Sequence, residues 1–184
     1  MSQSLLLKIA RESITEVFEA KNIINREQLL KDYPILNQPL AVFVSIYIND
    51  ELRGRSGRVE AKTSLLEEII YHAKTAAFEN NPLKVSQYLH AKIELSLLTP
   101  LSQIVYCNIP DLLSKIKNSR DGLYICLDTK SATLLPSSWT DFPHTQDFVS
   151  HLLHKANLIE SDLHGRAKIY TFEIESSHDE PILN

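Results

Sequence analysis

The run Ala41-Val42-Phe43-Val44-Ser45-Ile46-Tyr47-Ile48, followed at once by Asn49-Asp50, constrains the fold more than any other segment. Its β-branched and aromatic residues read as a strand that is apolar on both faces and so central in its sheet. Asn49-Asp50 is a turn signal, which sends the chain back antiparallel through Leu52 to Val59. A hairpin in place of a βαβ crossover favours antiparallel pairing over a doubly wound fold.

The rest of the pattern agrees. Leu6, Ile9, Ala10, Ile14, Val17 and Phe18 recur at helical spacing in an opening helix, and Asn25 to Leu30 reads as a short second helix stopped by Pro34. Ser64-Leu65-Leu66-Glu67 fits a capping box, Ser64 capping the first turn and Glu67 reaching back, and the helix it opens should stop near Phe78 before Asn80-Asn81-Pro82. Strands follow at Lys92–Leu98, with Glu94 and Ser96 on the less buried face, at Leu123–Leu127, at Ala132–Leu135 and at Lys168–Glu175. Further helices are expected at Asp111–Lys117 and Thr145–Ala156. The order α, ββαβ, αββαβ favours an α+β domain, mainly antiparallel with flanking helices. All 184 residues are read as one domain, with a smaller lobe whose boundary falls near residues 99–110.

Apolar residues make up 43% of the chain, enough for a core, and the net charge of −4 with scattered basic residues argues against a general nucleic-acid binder. The amino terminus lacks a basic leader and a cleavage site, and its apolar run breaks at Lys8, so a cytoplasmic protein without a membrane span is expected. Cys107 and Cys126 read as two buried free thiols.

The most informative segment is Leu52-Arg53-Gly54-Arg55-Ser56-Gly57-Arg58, read as an Arg- and Gly-rich turn that holds two of the four glycines. Arginine offers a planar fork of donors to carboxylate or phosphate, and glycine lets backbone N–H groups approach an anion. An anion site at Arg53, Gly54, Arg55, Ser56, Gly57 and Arg58 is one reading. The other is a β-bulge with solvated arginines, paired across the rim with Glu51 and Glu60. The spacing fits neither the P-loop nor the dinucleotide fingerprint, and no cofactor motif is legible. Ser56 reads as a turn residue rather than a nucleophile. Glu94 is either an acid or base with a raised pKa or the partner of an arginine across the sheet. Lys155 closes a helix, where a cation suits the dipole. His151 and His154 have metal-ligand spacing, but no Asp, Glu or Cys joins them, so they read as helix histidines and no metal is expected. Trp139 reads as the anchor of its loop.

Taken in order, these segments resemble the AMMECR-type domain, also called AmmeMemoRadiSam system protein A. The motifs are Val42-Phe43-Val44-Ser45, Leu52-Arg53-Gly54-Arg55-Ser56-Gly57, Ala76-Ala77-Phe78, Glu94-Leu95-Ser96-Leu97-Leu98-Thr99, Gly122, Leu135-Pro136 and Lys155-Ala156-Asn157-Leu158. The family signature reads Leu-Arg-Gly-Cys-Ile-Gly, so Arg55 stands for its cysteine and Ser56 for its isoleucine. The family's Asp-x-Arg-Phe is here Asn80-Asn81-Pro82-Leu83. Of the polar positions suspected of activity, Arg53, Glu94 and Lys155 survive, whereas chemistry that needs the thiolate cannot run here. The resemblance implies two unequal lobes around a cleft near the signature. It also implies a part in a multi-protein modification pathway with Memo-like and radical S-adenosylmethionine proteins. A non-catalytic component that binds a partner or an anionic group is therefore the expected function. The alternatives are an enzyme acting on a small anionic substrate, with Glu94 or Lys155 as catalytic groups, and local nucleic-acid contact.

Overall fold

The computed structural model describes residues 3–182. The chain divides into two compact units: residues up to Leu98 together with those from Glu175 onward, and Thr99–Ile174 between them.

In the first unit, α1 (Gln3–Glu19) and the short α2 (Arg26–Asp32) precede the hairpin of β1 (Val42–Ile48) and β2 (Glu51–Gly57). Asn49 and Asp50 both take positive φ, 51° and 63°, the pairing that a two-residue type I′ turn requires. Thus the turn is Asn49-Asp50 alone, and the Arg/Gly segment is strand rather than turn. After α3 (Leu65–Phe78) and α4 (Val85–Leu89) comes β3 (Lys92–Leu98), which lies antiparallel to β1 on its other side. The sheet order is β2-β1-β3-β8, with β8 at Ile174–His178. Val42, Val44 and Ile46 alternate onto one face and meet Leu65, Leu66, Ile69 and Ala73 of α3 and Leu6, Ile9 and Ile14 of α1 in a single core.

In the second unit, β4 (Ser102–Gln103), α5 (Ile109–Lys115), β5 (Gly122–Leu127), β6 (Lys130–Leu134), α6 (Thr145–Ala156) and β7 (Lys168–Phe172) build a sheet of order β4-β7-β5-β6. Its registered pairs are antiparallel. Trp139 is buried, stacks on Phe148 at 3.7 Å and donates its indole N–H to Asp121 O, which anchors its loop to α6. No helix among the described residues is long and apolar enough to cross a membrane.

Five expectations need correction. The last strand does not run unbroken to Glu175. It stops at Phe172 because Glu173 bonds Thr99 twice, its N–H donating to Thr99 Oγ1 and its carbonyl accepting from Thr99 N. The chain resumes as β8 in the other sheet, and this unexpected strand covers Ser96. Ser96 is accordingly buried, its hydroxyl 2.7 Å from that of Ser176. The short elements α4 and β4 carry too little periodicity to be read from sequence. Cys107 is exposed rather than buried, since it precedes α5 and turns its thiol to Asp111 Oδ2 at 3.4 Å. Cys126 is half-buried, and both thiols are free. Finally, the helix-capping carboxylate of α3 is Glu68, one residue later than expected. Ser64 makes no side-chain cap, and Glu67 pairs with Arg26 instead.

Glu16, buried on α1, ties three elements together. Its Oε1 accepts from Ile23 N at 2.9 Å and Ile24 N at 3.0 Å, and its Oε2 accepts from Lys74 Nζ at 2.8 Å. Burial alone would raise this carboxyl, but the Lys74 bond and the two amides outweigh it and hold the pKa at about 2. A group depressed in the folded state stabilises above its unfolded pKa and loses that contribution as pH falls, here between about 4.5 and about 2. The drop corresponds to about 3 kcal/mol at neutral pH. Urea denaturation of Glu16→Gln against pH is expected to show that loss at neutral pH, and the gap from wild type should close toward pH 2. A constant gap would contradict the linkage.

Candidate functional site

β2 is an edge strand, bounded by β1 on one side and by no strand among the described residues on the other. Its register with β1 slips between Ile46 and Tyr47: Ile46 faces Gly54 and Tyr47 faces Leu52, which leaves Arg53 as the unpaired residue of a bulge. The segment from Arg53 onward serves two faces.

Arg55 lies on the face away from α3, opposite Ser45. Its Nε donates to Ser45 Oγ at 2.9 Å and its Nη2 to Tyr47 Oη at 3.1 Å. Ser45 is flanked on its other side by Glu94 of β3, so Arg55, Ser45 and Glu94 form one row across three strands. Glu94 is half-buried and makes no ion pair with an arginine among the described residues. Arg53, at the bulge, donates from Nη2 to the carbonyl of Asn81 beyond the end of α3, at 2.8 Å. Neither Glu51 nor Glu60 pairs with these two arginines among the described residues. Lys155 belongs to the second unit, where its Nζ donates to Thr133 O at 2.9 Å.

Gly54, Ser56 and Arg58 face α3. Gly54 passes so close to the helix that a Cβ there would overlap the Ala76 carbonyl oxygen. Ser56 Oγ lies 2.8 Å from His72 Nδ1, and Arg58 Nε lies 3.0 Å from His72 Nε2 and 3.2 Å from Glu68 Oε2. The Arg58 guanidinium also stands 5.1 Å from the Tyr71 ring centroid. Glu68, 1% exposed, accepts at Oε1 from Lys62 N, Thr63 N and Thr63 Oγ1. Although burial opposes it, these donors and Arg58 hold its carboxyl below the usual range. Burial, then Arg58, pushes the His72 pKa down, so its imidazole is neutral at physiological pH.

Ser56, His72 and Glu68 stand in the sequence of nucleophile, base and carboxylate. His72 Nε2 is shared: Arg58 Nε donates toward it at 3.0 Å, and Glu68 Oε2 lies 3.2 Å from it. With the Nε2 lone pair given to Arg58 the ring proton sits on Nδ1 and faces Ser56, whereas an Nε2–H given to Glu68 leaves Nδ1 to accept from Ser56. With Glu68 and His72 buried and Ser56 and Arg58 half-buried, the four side chains link β2 to α3 as a polar clasp.

Glu68 and His72 were not singled out from sequence. The available signal was an acid and a histidine four residues apart, interleaved with Leu65, Ile69 and Ala73 on a face that should be apolar. Of the expected histidine pair, His151 stacks on Phe142 at 4.2 Å, with His154 6.5 Å further along the helix.

The AMMECR1 family model matches residues 7–177. The chain belongs to the AMMECR1 family. This AMMECR1-family protein is 29% identical to a protein of Thermofilum pendens over 94% of the chain and 87% of that relative. It is 28% identical to the protein NEQ441 of Nanoarchaeum equitans over 91% of the chain and 95% of the relative. The crystal structure of the uncharacterized protein PH0010 from Pyrococcus horikoshii superposes with a TM-score of 0.85 at 25% identity, covering 98% of this chain and 93% of that one. Their names carry no function.

Proposed function

We propose that this AMMECR1-family protein is a non-catalytic, cytoplasmic component of a multi-protein modification pathway that binds an anionic group of a partner at Arg53 and Arg55. One observation carries the reading. Among the described residues, five of the seven arginines form ion pairs with carboxylates, namely Arg11, Arg26, Arg58, Arg120 and Arg166. Arg53 and Arg55 instead donate to a carbonyl and two hydroxyls. Two uncompensated guanidiniums two residues apart on a strand edge attract anions, and Arg55 occupies the position of the signature cysteine, where a thiol nucleophile is lost. The family resemblance supports Memo-like and radical S-adenosylmethionine proteins as the partners.

A thermal-shift screen of phosphate, citrate, nucleotides and S-adenosylmethionine tests the reading. At a hundredfold excess over Kd, binding adds about 2.7 kcal/mol, which in a chain of this size raises the melt by roughly 5–10 °C. The shift is expected in wild type and lost in the Arg53→Ala/Arg55→Ala variant. An equal shift in both proteins would move the anion elsewhere.

The row Arg55, Ser45, Glu94 supports a second reading, an enzyme acting on a small anionic substrate with Glu94 as acid or base. It requires turnover that disappears in Glu94→Gln while anion binding persists.

A further inference from the structure

We propose that the occupant of this site is an extended acidic segment of a partner protein, which adds to the free edge of β2 as a further strand. The inference rests on the anion-binding reading above and specifies the form of the ligand.

The backbone supplies the first reason. Arg58 N donates to Val42 O at 3.3 Å, and the register steps from there through Ser56 opposite Val44 to Gly54 opposite Ile46. In an antiparallel ladder bonded and non-bonded pairs alternate, so Gly54, Ser56 and Arg58 bond to β1. Arg55 and Gly57 turn their N–H and C=O groups outward. No strand among the described residues receives them. Such an edge is a template for strand addition, where main-chain bonds give affinity and alternate side chains give specificity.

The side chains supply the second. The bulge takes Arg53 to the α3 side, where it reaches Asn81, while Arg55 lies on the opposite face against Ser45 and Tyr47. The two arginines therefore straddle the edge. A compact anion meets one face only. Successive side chains of a strand point to opposite faces, so an extended chain can bring a carboxylate to each guanidinium. A second copy of this chain is the wrong occupant, because antiparallel self-pairing about Arg55 would set arginine opposite arginine.

The test titrates the full chain with a labelled peptide of repeated glutamate-glutamate-valine, whose adjacent glutamates face opposite sides of an extended strand, monitored by fluorescence polarisation and by amide exchange. Three controls accompany it: the same peptide N-methylated at alternate amides, a peptide with lysine for glutamate, and inorganic phosphate. N-methylation alters the probe and leaves the protein intact, so no folding defect can imitate its effect. Binding of the glutamate peptide, slowed exchange at the Arg55 and Gly57 amides, weakening of about tenfold or more on N-methylation, and loss with the lysine peptide are expected. Equal affinity for the N-methylated peptide overturns strand addition. Phosphate stabilisation without peptide binding overturns it too but keeps the anion site, and failure of both ligands removes the site as well. A dimer in sedimentation that dissociates in Arg55→Glu and excludes the peptide would assign the edge to a second copy and overturn the proposal.

Discussion

Gly54→Ala is expected to destabilise the first unit by about 3 kcal/mol, the upper part of the range for overpacking a filled interior. The added methyl would overlap the carbonyl oxygen of Ala76, which lies in the last turn of α3, where packing of that turn on the core holds the backbone in place. Relief requires β2 to leave β1 or α3 to lift from a core that includes Leu65, Ile69 and Ala73. Neither movement is local. Gly165→Ala is the control, because Gly165 has φ of +81° and an added methyl would meet nothing within 4 Å, so only backbone strain of about 1 kcal/mol applies. Urea denaturation followed by far-UV dichroism separates the two. Similar midpoints for both variants would contradict the close approach of β2 to α3. Since Gly54 sets the height of the strand above the helix, the variant is also expected to weaken anion binding at neighbouring Arg53 and Arg55.

Glu68→Ala is expected to cost roughly 3–5 kcal/mol, the usual penalty for removing one partner of a buried charged network. Two backbone amides and the Thr63 hydroxyl lose their acceptor, and Arg58 loses its carboxylate, keeping His72 and the Tyr71 ring. Glu68→Gln should cost less, because the retained carbonyl oxygen can still take the Lys62 and Thr63 donors. The Arg58→Ala/Glu68→Ala double variant should be less damaged than the two single losses summed, since the charge left unpaired by one is removed by the other. Strict additivity would mean that the 3.2 Å contact between them contributes nothing.

The pH dependence follows from the same cluster. His72 binds its proton less readily when folded than its ordinary value of 6.5 allows, and Glu68 lies below its ordinary 4.5. Both depressions stabilise above the unfolded pKa and lose that contribution as pH falls, His72 first and Glu68 below it. His72→Asn should remove the part of the acid destabilisation that begins near pH 6.5.

The sequence by itself determined the elements whose periodicity is strong and long. The hairpin at Asn49-Asp50, the helix ending at Phe78, the strand Lys92–Leu98 and the helix Thr145–Ala156 all stand where their patterns put them, because burial on one side imposes a period along the chain. It also carried the ordered motifs by which the family is recognised. Tertiary structure alone decided the character of the Leu52–Arg58 segment. A bulge at one residue sends Arg53 and Arg55 to opposite sides of the strand, and that slip depends on pairing with β1 rather than on local composition. The break at Glu173 and the capture of β8 by the first sheet depend likewise on Thr99, more than seventy residues away. Pairing of Ser56 and Arg58 with His72 and Glu68 needed α3 laid across β2. No local pattern announces which of three arginines finds a carboxylate and which two stay open to an anion.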